Sequence, residues 1–515
     1  MKLHTFLRAA LLAVACVFGL PEVVAGAERP LTLEEAIALA LERNEGIHSE
    51  RAALAAAEAG VTEAKGAYDP LLEVDGGWRH ATEPVNSTFS GTSSGEFPTT
   101  EGADAGMSVR QLLPTGGAVS VRTRVGRTTD DGSYALLSPA YETQVGVELR
   151  QPLLRDRAVD AARLSRRVAA TDRERAVAAL RRMITDTVAA VERAYWGLVA
   201  ARLEIDVLDE AVRLAEEQLR ETESRVESNV LPETEPAQPR AELERRRGEL
   251  LASREALSRA ENDLKLLILG DDDPLWLDRL DPTEEAALEV VPLDAAALVE
   301  GALAVRPEIQ VVQSFVDRRR LEVDFARDRV LPSLDAVLSY DRFGLAGDRT
   351  PNESTVTGLE GGVGGSFSNL GDGDFDDARV ALVLSFPIGN RSARGGAAVA
   401  RSVLVQAEAD LARVRKAVRA EVLDAVAALE TATQRVEAAR AGLEAAQVQL
   451  SAERDRYAVG LSTNFLVLTR QNDLSRSRLE EISALTDYRA ARTEVARATG
   501  SLLADRRIDT DETAR

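Results

Sequence analysis

The second half of this chain repeats the first in the same order. Residues 31–47, LTLEEAIALALERNEGI, align without a gap on residues 293–309, LDAAALVEGALAVRPEI. The same offset carries Tyr68-Asp69-Pro70-Leu71-Leu72 onto Val330-Leu331-Pro332-Ser333-Leu334. A second constant offset pairs Arg225-Val226-Glu227-Ser228-Asn229 with Arg456-Tyr457-Ala458-Val459-Gly460. Chance similarity would need fresh gaps, so the chain is read as a duplicated architecture. Each half runs helix, alternating strands, very long heptad helix, turn and return helix. The boundaries expected are 1–27 for a leader, 28–291 for the first repeat and 292–515 for the second. The repeat favours one interleaved body, with each half supplying part of every layer, over a string of ordinary domains.

Only 4% of the 515 residues are aromatic while Ala is abundant. That is poor material for a thick globular core and good material for closely packed helices. The first segment reads as a secretory signal, with Lys2 and Arg8 at its charged start, an apolar stretch Ala9–Leu20 and small residues at Ala25-Gly26-Ala27. The single cysteine, Cys16, lies inside it, and Ala13 stands where a lipidation motif favours Leu. From residue 28 onward there is no thiol for a disulfide, a zinc cluster or a nucleophile. A net charge of −22 repels nucleic acid. No later stretch is apolar enough for a membrane-spanning helix, which leaves a soluble exported protein or one that crosses an outer membrane by β-strands.

Strands are legible by strict alternation. Leu72, Val74 and Trp78 oppose Glu73, Asp75 and Arg79; Val119, Val121, Thr123 and Val125 oppose Ser120, Arg122 and Arg124. Val145, Val147 and Leu149 oppose Gly146, Glu148 and Arg150; in the second half Leu334, Ala336, Leu338 and Tyr340 oppose Asp335, Val337, Ser339 and Asp341. One side is apolar and the other wet. The expected strands are 71–80, 105–113, 117–127, 143–151, 333–343 and 378–387, long enough to cross a membrane. Pro114-Thr115-Gly116-Gly117 is a tight turn. Residues 83–104, 127–141 and 344–377 are read as loops, the last Gly- and Asp-rich and mobile. Six strands close no useful barrel alone, whereas three protomers supply about eighteen.

The helices carry a seven-residue seam. In the first half it runs Val177, Ile184, Val191, Leu198, Ile205, Val212, Leu219 and Val226. In the second it runs Val422, Leu429, Val436, Leu443, Leu450 and Tyr457, flanked by Leu411, Val418, Ala425, Ala432, Ala439 and Ala446. Such a pattern specifies tightly packed coiled coils. Long helices are expected over 157–228 and 392–459, each reaching roughly 100 Å. Return helices are expected over 240–269 and 464–503, and continuous helices over 33–66 and 293–329. Strands feeding directly into helices through Gln151-Pro152-Leu153-Leu154 and Phe386-Pro387-Ile388 suggest a continuous tube. The fold class expected is an α+β membrane protein: a trimeric transmembrane β-barrel continuous with a long α-helical coiled-coil barrel, built from two internal repeats.

No catalytic constellation emerges. His48 and His80 stand alone on separate elements, and Gly371-Asp372-Gly373-Asp374-Phe375-Asp376-Asp377 lacks the closing Glu of a calcium hand. Gly361-Gly362-Val363-Gly364-Gly365 is not expected to open a helix after a strand and is read as no nucleotide loop. Neither a cofactor nor a bound metal is expected. The rival reading is a non-conducting coiled-coil periplasmic spacer or surface adhesin.

The LTLEEAIALALERN start, the internal repeat, the heptad helices and Tyr457-Ala458-Val459-Gly460-Leu461-Ser462-Thr463 together resemble the TolC family of outer-membrane efflux and secretion channels. The resemblance covers nearly the whole chain after the leader. It implies a homotrimer in the Gram-negative outer membrane, contacting outer-membrane lipid and extending into the periplasm. It further implies a periplasmic adaptor (membrane fusion) protein and an inner-membrane pump as partners, in a tripartite efflux or type I secretion system. By that resemblance Asn229, Val230, Leu231, Pro232, Gly460, Leu461, Ser462 and Thr463 form an adaptor-docking tip. Glu233, Glu235, Tyr457, Leu466 and Thr469 would form the pore-tip constriction. The chain departs from the family where a ring of tip aspartates is replaced by Leu466 and Thr469, and a latch arginine by Ser462.

Overall fold

The computed structural model describes residues 28–85, 97–132, 135–230, 232–289, 292–350 and 358–509. The expected leader, Cys16 and Leu231 lie outside the described residues. The first half contains β1 (Glu28–Leu31), α1 (Leu33–Arg43), α2 (Glu45–Lys65) and four strands: β2 (Leu71–Thr82), β3 (Thr99–Leu112), β4 (Ala118–Asp130) and β5 (Leu137–Pro152). The 67-residue α3 (Ala161–Glu227), α4 (Ala237–Ile268) and β6 (Arg279–Pro282) follow. The second half contains α5 (Ala295–Val305), α6 (Pro307–Asp328), β7 (Ser333–Arg349), α7 (Val363–Asp372) and β8 (Asp376–Ser385). It ends with the 68-residue α8 (Arg391–Ala458), α9 (Asn464–Thr499) and α10 (Leu502–Asp505). Among the described residues no helix is long and apolar enough to cross a membrane.

The chain forms two compact units that cut across the two sequence halves. One is helical and takes Met1–Ala52, Ala179–Ile309 and Arg415–Arg515. The other holds the large sheet and takes Ala53–Ala178 and Gln310–Val414.

The helical unit has a conventional core. Ile184, Val191 and Leu198 on the α3 seam are fully buried, as are Val422 and Val436 on α8. The flanking Ala425, Ala432 and Ala446 are buried too. A seven-residue period keeps one stripe facing its neighbours, and alanine lets backbones approach closely. The parallel pair β1–β6 buries Leu31 and Leu280, and the Tyr195 hydroxyl donates to the Leu31 carbonyl at 3.0 Å.

Helices expected to be continuous are broken at matching positions. Asn44 is extended between α1 and α2, and its Oδ1 accepts from the Gly46 and Ile47 amides, capping α2. Arg306, its counterpart in the repeat, is extended between α5 and α6 because Pro307 disfavours helical geometry in the preceding residue.

The sheet unit is one six-stranded antiparallel sheet in the order β2-β3-β4-β5-β7-β8. The hairpin around Pro114 therefore lies inside the sheet. The strands run further than the alternation indicated. Thr99–Asp104, Arg127–Asp130, Leu137–Tyr141 and Gly344–Arg349 belong to strands rather than loops. Backbone pairing continues past the apolar rows into polar ones, where side-chain alternation gives no signal. The segment expected to be a mobile Gly/Asp-rich loop also contains α7, seated on β7 and β5. Gly362 caps that helix, so the glycine run does open a helix, contrary to expectation.

Candidate functional site

Paired residues on adjacent antiparallel strands share a face, so the register assigns the two sides of the sheet. One row joins Leu72, Val109, Val121, Val147 and Tyr340. The next on the same face joins Val74, Met107, Thr123 and Val145. Leu338, Val380, Leu382 and Leu384 continue this apolar face across β7 and β8. On β2 and β8 it is uncovered: Val74 is 69% exposed, Trp78 71% and Val380 81%.

The opposite face is charged and internally paired. Asp75, Gly106 and Arg124 form one cross-strand row; Asp341, Gly146 and Arg122 form another. In each row a glycine stands between acid and base. A Cβ on Gly146 would collide with the Asp341 carboxylate, and one on Gly106 would lie 2.6 Å from an Asp75 oxygen. The missing side chain lets each carboxylate lie flat across one strand and reach the next. Arg122 Nη2 donates to both Asp341 oxygens at 2.8 Å and Arg122 also pairs with Glu148 at 3.5 Å. Arg124 pairs with Asp75 and Asp104, each at 3.5 Å, and Arg150 with Asp335 at 2.6 Å. A cavity of about 420 Å³ opens on this face beside Asp104, Arg124, Glu142 and Gln144. Val337, Phe343 and Leu345 on β7 and Ala381 and Val383 on β8 are its apolar exceptions.

In the helical unit the two long helices end alike. Asn229 and Gly460 both adopt left-handed backbone, with φ of 58° and 79°. In each case two bonds close the turn: Val230 to the Arg225 carbonyl and Asn229 to that of Val226, then Leu461 to Arg456 and Gly460 to Tyr457. These are paired Schellman caps, and Asn and Gly are the residues that tolerate such a cap best. Both turns present apolar side chains to solvent: Val230 on the first, Val459, Leu461 and Phe465 on the second. A shallow groove of about 250 Å³ beside the second is lined by Phe465, Leu468 and Thr469 of α9 with Gln238 and Glu242 of α4.

The residues picked from the sequence fall as follows. Asn229, Val230 and Pro232 are exposed in the first turn; Gly460 and Leu461 are exposed in the second, with Ser462 and Thr463 beside them. The Ser462 hydroxyl donates to Glu453, and Glu453 pairs with Arg456 at 3.8 Å. Tyr457 is held by Arg225, whose Nη1 donates to the hydroxyl at 3.1 Å while the guanidinium sits 4.8 Å from the ring centre. Burial pushes the Tyr457 hydroxyl up from its ordinary pKa, Arg225 pulls it back, and Glu221 and Glu235 add to the rise. Glu233 and Glu235 are exposed. Leu466 is 40% exposed, and the Thr469 hydroxyl is engaged by the Phe465 carbonyl of its own helix at 2.8 Å. Sequence reasoning missed Arg225, although its place in the repeat opposite Arg456 was visible. It also missed the Asp-Gly-Arg rows, whose signal was glycine on strands that otherwise alternate.

Residues 298–501 match the sequence profile of a family described as outer membrane efflux protein. The outer membrane efflux protein BepC of Brucella suis biovar 1 (strain 1330) is 24% identical over 314 residues, 60% of this chain and 63% of BepC. The match thus spans less than two thirds of that relative. The Campylobacter jejuni CmeC outer membrane channel superposes with a TM-score of 0.65 over 94% of this chain and 89% of its own, at 15% identity. The open state of the Neisseria gonorrhoeae MtrE outer membrane channel gives 0.60 over 91% and 89%, at 16% identity. The fold is that of these channels.

Proposed function

We propose that this chain, whose residues 298–501 match the outer membrane efflux protein family, is a member of it, resides in the Gram-negative outer membrane and acts there as a passive export duct. One observation carries the reading: a six-stranded sheet has an apolar face uncovered except under α7, a charged face and two open edges at β2 and β8. Open edges invite pairing, and six strands are too few to enclose water. Joining β2 of one protomer to β8 of the next in a homotrimer gives about eighteen strands, apolar outward to lipid and ion-paired inward to solvent. That wall leaves an aqueous channel rather than a packed interior.

The two capped turns are then the docking tip for a periplasmic adaptor, through Asn229, Val230, Leu231, Pro232, Gly460, Leu461, Ser462 and Thr463. Their exposed apolar side chains support this reading. Glu233, Glu235, Tyr457, Leu466 and Thr469 would border the pore there, with Arg225 bracing Tyr457. Energy comes from an inner-membrane pump, whether of a tripartite efflux or a type I secretion system, since a duct of this kind supplies none. Reconstitution in a planar bilayer tests the proposal. Stepwise ion conductance from a purified trimer is expected. A membrane-bound trimer that never conducts, even with its adaptor, overturns it in favour of a coiled-coil spacer.

A further inference from the structure

The helix α7 stands on the apolar face of the sheet, not on the charged one. Thr143 and Gly344 are register partners and lie on the face that carries Val145, Val147 and Leu149. Both are in contact with α7. The Ser366 hydroxyl donates to Thr143 Oγ1 at 2.8 Å, the Thr143 hydroxyl donates to the Ser366 carbonyl at 3.2 Å, and both side chains are buried. Asn369 Nδ2 adds a bond to the Leu345 carbonyl at 2.7 Å. Glycine at 344 makes the seat possible, because a Cβ there would strike the Ser366 carbonyl. The Thr143, Ser366 and Asn369 side chains at this contact are thus satisfied between helix and sheet, while Arg342, the register partner of Val145, lies against Gly373 at the end of α7 with its Nε buried and unpartnered.

The outer side of the helix has a different character. Val363 and Phe367, one turn apart, are 41% and 48% exposed, and Phe375 just beyond the helix is 42% exposed. Between Val363 and Phe367 lie only Gly364, Gly365 and Ser366, and within the helix no charge precedes Asp372. The helix sits at the border of the apolar band: the row of Trp78 leads through Ala103 and Arg127 to Tyr141 and Ala346, and Ala346 is buried next to Gly365 of α7. Aromatic residues at the edge of an apolar band mark the level of lipid headgroups, and short helices with one apolar side lie in that plane.

We infer that α7 is a lipid-interface helix, docked on the outer surface of the barrel and inserting Val363 and Phe367 at the boundary between headgroups and acyl chains of the outer leaflet. It fixes the depth of the sheet in the bilayer. The occupant is lipid because the side that α7 exposes continues the face of Val74, Trp78, Val145 and Val380. This inference rests on the reading of the sheet as a membrane wall.

The absence of cysteine after Cys16 gives a direct test. In a Cys16→Ser background, Phe367→Cys, Val363→Cys, Trp78→Cys and Glu233→Cys are each labelled with an environment-sensitive fluorophore. The proteins are reconstituted in vesicles with and without nitroxide-bearing lipid. Labels at 363, 367 and 78 are expected to shift to the blue and be quenched by the lipid nitroxide, while the label at 233 stays red and unquenched. Quenching at 78 but not at 363 and 367 overturns the inference and leaves the channel reading standing. A blue-shifted label at 367 that ignores the lipid nitroxide means protein covers α7, which also overturns it. Failure of quenching at 78 brings down the membrane wall itself.

Discussion

In the first half α1 yields to α2 at Asn44, whereas in the second α5 yields to α6 at Arg306. The break is the same and the chemistry holding it differs. Asn44 caps the next helix with its own side chain and reaches the Leu267 carbonyl at 3.2 Å. Arg306 is 3% exposed and gathers Glu308, Glu421 and the Ala498 carbonyl. Glu421 also binds Arg497, which is fixed by Glu494 at 2.5 Å. The strands of the large sheet diverge further: among the described residues four come from the first half, against two and α7 from the second. Duplication set where the chain turns, and each copy then found its own interactions to hold the turn.

The largest asymmetry should appear at the breaks. Arg306→Ala strands the half-buried Glu308, takes from Glu421 one of its two arginines, and should cost about 3–5 kcal/mol. Asn44→Ala removes one cap, for about 1 kcal/mol. Thermal unfolding followed by helical circular dichroism checks both, and equal losses would erase the distinction. The same network sets an acid limit. Burial, the largest influence on Glu308, pushes its pKa up, but hydrogen bonds and charge from Arg306 carry it below the ordinary value. Hydrogen bonding from Arg497 does the same for Glu494. A carboxylate with a depressed folded-state pKa contributes stability that is present above the unfolded value and lost as pH falls through the folded one. Stability of the helical unit should therefore hold from neutral pH to the ordinary glutamate range, about pH 4.3, and fall below it. In Arg306→Ala the Glu308 part of that acid loss should vanish.

The extra strands of the first half supply the second test. Arg122 and Arg124 of β4 reach acids on β7 and β2, so the added hairpin ties both sides of the sheet through its charged face. Asp341 is buried beneath Arg122 while Arg122 itself is 40% exposed, which places the pair between surface and interior regimes. Arg122→Gln should cost about 1–3 kcal/mol. By leaving Asp341 and Glu148 without their cation, it should also turn the conductance toward cations in a reversal-potential measurement. Gly146→Ala displaces the Asp341 carboxylate and should show the same two effects more weakly. Unchanged selectivity in both would mean that this face does not line the conducting path.

What could be read beforehand follows from which interactions are periodic. Alternation gave the wet and apolar sides of the strands, and the heptads gave Ile184, Val191, Leu198, Val422 and Val436 as core. Strand ends, the seat of α7 and the partner of Tyr457 were not legible. Each depends on a contact between residues far apart in sequence: Thr143 with Ser366, or Arg225 with Tyr457. The acid–glycine–base rows are cross-strand patterns, and no single strand displays them. The break at Asn44 was hidden because Asn is also a tolerated helical residue, while Arg306-Pro307 carried a local steric signal that was passed over.

The smallest expected effect lies at the paired turns and is the sharpest comparison, because the backbone is the same. Gly460→Ala places a Cβ on left-handed backbone and should cost about 1–2 kcal/mol, felt as faster amide exchange at Gly460 and Leu461. Asn229→Gly relieves the residual cost of Asn at an equivalent φ and should slow exchange at Val230 by at most a few-fold, under about 1 kcal/mol. The first turn also holds Pro232 and runs into Pro236 and Pro239 at the start of α4, and their rings fix φ and so stiffen the backbone there. The second has no proline, so its order depends on the cap at Gly460 and on Ser462 binding Glu453. Loosening Gly460 should therefore propagate through residues 461–465, whereas Asn229→Ala should stay confined to its own turn. Equal spread of exchange from both substitutions would show that the prolines add nothing to the first turn and that the two copies are mechanically equivalent.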